Sequence, residues 1–125
     1  MRENQLSYVI RGCIFTVYNH LGPGLMESAY EAALLYELRK KGFKCDVQAP
    51  LPLIYKNIHM DIGYRLDIVV EDLVIIEIKS VENLSALHHK QILTYLKLSG
   101  LKLGILVNFN TDNLSGSIFR KVNNL

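Results

Sequence analysis

The run Leu103 to Phe109 contains Gly104, Ile105, Leu106 and Val107 and is apolar on both faces at the period of a strand. Such a strand belongs inside a sheet with cover on both sides, because an edge or a solvated face would alternate with polar residues. Val74 to Lys79 is nearly as apolar, broken only by Glu77 and Lys79, and Tyr64 to Val70 is broken by Asp67. The flanks carry a helical period instead. Leu6, Val9, Ile10, Cys13, Val17 and Leu21 recur at three-to-four spacing and predict a helix over 4–21, stopped by Gly22, Pro23 and Gly24. A second helix should begin just after that turn and run through Ala29, Ala32, Ala33, Leu34 and Leu38 to a cap at Gly42. Arg39, Lys40 and Lys41 then suit the negative end of its dipole. Leu87, Ile92 and Leu96 predict a third helix over Ser85 to Ser99, closed by Gly100.

Between these helices, Pro50 and Pro52 suggest an irregular entry into a first strand around Leu51 to Tyr55, with a turn at Asn57. Tyr64–Val70 and Val74–Lys79 follow, joined near Glu71 and Asp72, so that a three-strand meander is expected. Ile118 to Val122 reads as a last short strand. The order of helix, helix, three strands, helix and strand predicts an α/β sandwich with a central mixed sheet flanked by helices, one domain over 1–125. Half of the 125 residues are hydrophobic and 21% are charged, as in ordinary globular chains. Without a signal-like start or an apolar stretch of membrane length, the expected compartment is the cytoplasm, with no membrane partner. Cys13 and Cys45 lack metal-ligand spacing and read as small buried hydrophobes. A net charge of +2 permits nucleic-acid binding without arguing for it.

The charges inside the apolar strands are the candidates for chemistry, since a buried charge needs a partner or a metal. Period two puts Glu77 and Lys79 on one face of their strand. Two carboxylates and an ammonium converging there can bind a hard divalent ion and help to activate a water. The competing reading is an ion pair of Lys79 with Glu77 or Asp67 on a solvated sheet face. The shared site also fixes the strand register. A two-residue turn at Glu71 and Asp72 would set Asp67 opposite Ile76 and turn Glu77 to the other side. A shared site requires an odd connection, Glu71, Asp72 and Leu73, or a bulge. Glu27, in the first turn of the second helix, is either a helix-start acid or a site acid, and Tyr30, Glu31 and Leu34 share its face. His88, Gln91 and Tyr95 align on the third helix, as half-buried surface residues or as contacts to a phosphate or a water.

Gly24-Leu25-Met26-Glu27-Ser28-Ala29-Tyr30 reproduces a G-x-x-E-x-x-Y signature. With Gly63 to Asp67, Glu77 to Glu82, Gln91 to Lys97 and Leu106 to Phe109, the chain resembles the GxxExxY family, an offshoot of the PD-(D/E)XK nuclease-like proteins. The resemblance implies a restriction-endonuclease-like fold and a nuclease acting on DNA or RNA with Mg²⁺ or Mn²⁺. It makes Asp67 and Glu77 metal ligands, Lys79 the lysine that positions or activates the attacking water, and Glu27 the helix acid that completes the site. Gln91 and Tyr95 resemble a Gln-x-x-x-Tyr element of recombination and repair exonucleases, with Tyr30 and His88 as further substrate contacts. Leu66 stands where the superfamily name has proline, and Tyr18 and His89 where a histidine and an acid are expected. The alternative function is a non-catalytic nucleic-acid or protein-interaction module on the same fold. Arg39, Lys40, Lys41 and Lys44 form the one obvious basic cluster, which a second copy or a partner subunit could extend.

Overall fold

The first two helices form where the apolar period places them, α1 over Glu3–Leu21 and α2 over Glu27–Lys40, in a computed structural model that describes residues 2–125. Their stripes, Leu6, Ile10, Cys13, Ile14 and Val17 on α1 and Tyr30, Leu34 and Leu38 on α2, are all buried. The third helix, α3, spans Ala86–Ser99. Ser85 caps its start, and Gly100 ends it in the left-handed conformation (φ 76°) that a residue with a β-carbon resists.

Seven strands, with a short 3-10 helix over Leu114–Ser117, complete the described chain: β1 Cys45–Pro50, β2 Leu53–Tyr55, β3 Ile58–Met60, β4 Arg65–Val70, β5 Val74–Lys79, β6 Leu103–Asn108 and β7 Ile118–Val122. Five of them form one sheet in the order β1-β4-β5-β6-β7. Every neighbouring pair is antiparallel except β5 with β6, which α3 connects in parallel. A parallel pair needs such a long crossover. The strand apolar on both faces, β6, is interior and buried at all its residues, as its pattern requires, and the short last strand forms beside it. This mixed sheet flanked by helices is consistent with a restriction-endonuclease-like fold.

The expected first strand of the meander is corrected. Leu53–Tyr55 pairs with Ile58–Met60 across the Asn57 turn as a separate two-stranded hairpin, and the strand that joins β4 is Cys45–Pro50. At the sheet's edge β1 alternates buried and exposed residues and ends on Pro50, whose missing N–H costs least there.

Two cores cover the sheet. Ile68, Val70, Val74, Ile76, Ile78, Leu103, Ile105 and Val107 meet α1 and α2 on one face, with both cysteines buried among them. Tyr95 and Leu96 of α3 meet Leu51, Leu66, Val69 and Ile75 on the other. On the α3 side Gly104 lets the helix approach closely, for a β-carbon there would lie 2.8 Å from Ile92 Cδ1 and 3.0 Å from its Cγ1. Gly104→Val should therefore destabilise the protein by about 1–3 kcal/mol through overpacking. A urea titration measures this, and stability equal to wild type would mean that α3 is not seated so tightly.

Candidate functional site

The connection between β4 and β5 decides whether the strand carboxylates can meet. Val70 pairs with Val74, Val69 with Ile75 and Ile68 with Ile76, leaving Glu71, Asp72 and Leu73 as a three-residue turn with Glu71 and Asp72 at positive φ. This is the odd connection that the shared site requires. One step on, Asp67 lies across from Glu77, and there side chains replace the main-chain ladder. The Asp67 N–H donates to Glu77 Oε1 (3.2 Å), and the Ile78 N–H donates to Asp67 Oδ2 (2.7 Å). Each carboxylate is thus fixed by the backbone of the opposite strand.

Glu77 is 5% exposed. Burial above all, then the neighbouring Asp67 charge, pushes its carboxyl up to about 8. Among the described residues the ion pairs are Arg2 with Glu3 and Lys44 with Asp72, so the expected alternative, a pairing of Lys79 with Asp67 or Glu77, is absent. Lys79 is half-buried at the end of β5, close enough to favour the ionised form of Glu77 without neutralising it. From α3, Tyr95 is 6% exposed and feels the charges of Glu77 and Asp67. Burial first, and those charges next, raise its phenol, which keeps it a proton donor at neutral pH. Gln91, one turn before it on α3, is half-buried and weakly favours the ionised phenol.

Helix α2 supplies two acids. Glu27 Oε2 accepts the Ser80 N–H (3.1 Å), beside Lys79. Glu31, one turn on, is linked to Asp67 through Gln48. The Gln48 amide nitrogen donates to Glu31 Oε2 (2.8 Å) and to Asp67 Oδ1 (3.3 Å), and burial, with Asp67 and Glu27 contributing, raises the Glu31 carboxyl. Hydropathy could not mark Gln48, whose role rests on a backbone turn at φ 49°.

One expected substrate contact is corrected. Tyr30 is fully buried and stacked on Phe109 (centroids 4.3 Å apart, 5° between planes). Its hydroxyl donates to Gly22 O and accepts the Leu25 N–H. Leu25 O in turn accepts from Ser80 Oγ, so the G-x-x-E-x-x-Y segment clasps the start of α2 to the residue after Lys79. His88 closes the start of α3, with Nδ1 accepting the Ser85 N–H. The departures from the family pattern also have structural partners: Tyr18 donates to Thr111 O, and His89 meets the Phe119 ring edge-on.

The family model for the PD-(D/E)XK nuclease superfamily matches residues 4–121. The chain belongs to this superfamily. No curated protein and no solved structure gives a match.

As in the superfamily's name, an acid on one strand faces a Glu-x-Lys on the next, here Asp67 before Glu77-Ile78-Lys79. No cluster of three or more Asp, Glu, His or Cys able to hold a metal occurs among the described residues. Asp67 and Glu77 nonetheless offer hard oxygen donors, and Mg²⁺ is commonly held by one or two carboxylates with water and phosphate oxygens filling the rest. A buried carboxylate beside a second one, with no cation pairing either, fits that donor set. The basic cluster is remote. Lys44 and Asp72 pair at the β4–β5 turn, and Arg39 donates to Cys45 O, so these cations lie at the far end of α2, roughly 20 Å from Glu27. No described helix of this superfamily member is long and apolar enough to cross a membrane.

Two outcomes follow for the apo protein. Glu77 holds its proton to about 8 when folded, whereas the unfolded chain loses it near 4.5. Between those values the folded state binds more protons, so stability falls as pH rises, by up to about 1.4 kcal/mol per pH unit, and levels off above the folded value. Urea titrations in EDTA from pH 5 to 8 should show that slope in wild type and a shallower one in Glu77→Gln; parallel curves would mean that Glu77 titrates normally. Tyr30→Phe should cost about 1–2 kcal/mol by freeing Gly22 O and the Leu25 N–H. An unchanged melting curve would remove the clasp.

Proposed function

We propose that this chain is a Mg²⁺- or Mn²⁺-dependent nuclease of the GxxExxY type, hydrolysing phosphodiester bonds of DNA or RNA at Asp67, Glu77 and Lys79. One observation carries the reading: Glu77 lies buried across from Asp67, and among the described residues no cation pairs with either carboxylate. A purely structural strand pair would gain by replacing Glu77 with an apolar residue, since an uncompensated buried carboxylate costs several kcal/mol. The two acids are the residues that would hold the ion, with one oxygen of each, Glu77 Oε1 and Asp67 Oδ2, oriented by the Asp67 and Ile78 amides. When bound, such an ion supplies charge neutralisation at the phosphate and a more acidic water.

The other groups act around that point. Lys79, free of a carboxylate partner, donates hydrogen bonds to the attacking water or to a phosphate oxygen and holds it in line. Glu27 and Ser80 keep the end of β5 in place under it. Tyr95, kept as a phenol, and Gln91 are donors on the α3 side for a phosphate oxygen. His88 retains only its Nε2 for such a contact.

The test is incubation of purified protein with labelled single-stranded, double-stranded and branched DNA and RNA, with Mg²⁺, Mn²⁺ or EDTA. Cleavage with metal and none in EDTA is expected. Lys79→Ala should lose cleavage by at least about 100-fold while keeping a metal-induced rise in melting temperature, and Asp67→Asn and Glu77→Gln should lose both. Binding without cleavage in every condition would favour the interaction module instead. Wild-type cutting by Lys79→Ala would remove the role given to that lysine.

A further inference from the structure

Gln48 is the one residue of β1 at positive φ (49°), in the left-handed region that few non-glycine residues enter at no cost. It sits where the β1–β4 ladder has a gap. Val47 pairs with Ile68 and Ala49 with Leu66, whereas Gln48 and Asp67, between them, form no ladder pair. The strands also roll over at that point. Cys45 and Ile68 face the α1–α2 core, yet Ala49 and Leu66, which strict alternation would put beside them, face the α3 core. The roll sends one side chain of β1 toward α2, and its amide nitrogen reaches Glu31 and Asp67 together.

From this geometry we infer that Gln48 is a positioning residue for the metal-binding carboxylates. Its amide ties Asp67 to Glu31, fixes the direction in which Asp67 meets Glu77, and brings Glu31 into the site as an acid supplied by α2. The inference rests on the proposed metal-dependent function. An amide is the side chain suited to this place, because one nitrogen carries two hydrogens for two carboxylates and adds no positive charge to compete with a divalent ion. With the Ile78 N–H on Oδ2 and the Gln48 amide on Oδ1, both oxygens of Asp67 are oriented, and each keeps a lone pair for the ion. Gln48 is exposed, but its positive φ falls inside a strand rather than in a turn, and the aim of its amide at the two acids accounts for that strain.

Two variants separate positioning from folding. Gln48→Asn suits the left-handed backbone better but is one methylene too short to bridge the two acids. Gln48→Lys keeps the reach and replaces the neutral donor with a charge. Melting curves of wild type and both variants, in EDTA and across a Mn²⁺ series, read metal binding without reference to cleavage. Both variants should melt in EDTA no more than about 4 °C below wild type. Each should require about 10- to 100-fold more Mn²⁺ for its half-maximal shift, the usual loss when the partner orienting a ligating carboxylate is removed. A wild type that responds to Mn²⁺ and variants that respond at the same concentrations would overturn this inference alone. A larger fall in EDTA for Gln48→Asn would also overturn it, since Gln48 would then serve the fold. A wild type indifferent to Mn²⁺ would overturn the metal-dependent function and this inference with it.

Discussion

Taking one carboxylate out of water in the middle of a sheet governs how the surrounding structure is arranged. Glu77 lies on β5, the central strand, with β4 on one side and β6 on the other, so water has little access to it. Such a group is tolerable only if its environment returns part of what solvent supplied. The neighbours do this in part: one amide from β4 donates to it, and Lys79 favours its charge from a distance. Asp67 opposes it, so the balance stays against ionisation. Several otherwise unrelated features serve this one spot. The three-residue turn brings the strands into register, the left-handed Gln48 orients Asp67, and the Tyr30 clasp secures the chain just beyond Lys79.

Apart from β1 and β3, the framework was legible in the sequence because burial leaves a periodic trace. Strands β5 and β6 declare themselves by lacking alternation, and the helices by their stripes. Strand β1 was not legible, since its Asp46, Gln48 and Pro50 resemble a loop and an edge strand needs only one apolar side. Leu51 to Tyr55 reads as a sheet strand because strand propensity does not say what a strand pairs with; the Asn57 turn folds Leu53 to Tyr55 back on Ile58 to Met60 instead. In the site, the requirement of one shared face is enough to set Asp67 against Glu77. The link from Asp67 through Gln48 to Glu31 is not legible, because it spans wide separations and depends on a backbone conformation that no hydropathy pattern records. Tyr30 misled for the opposite reason. A conspicuous spacing pointed to function where the side chain pins a turn.

The parallel pairing of β5 with β6 also has a bearing on synthesis. The strand carrying Glu77 and Lys79 acquires its second neighbour only when the chain has been made through Asn108, whose side chain then bonds Val81 on both its N–H and its carbonyl. Until that length has left the ribosome, β5 is an open edge, Glu77 can remain hydrated, and nothing holds Val81 in place. The acidic centre is therefore assembled late, from segments spread along most of the chain, and a fragment ending before β6 retains the acids but not the enclosure. Maturation of the site is tied to completion of the sheet, as a consequence of strand order alone.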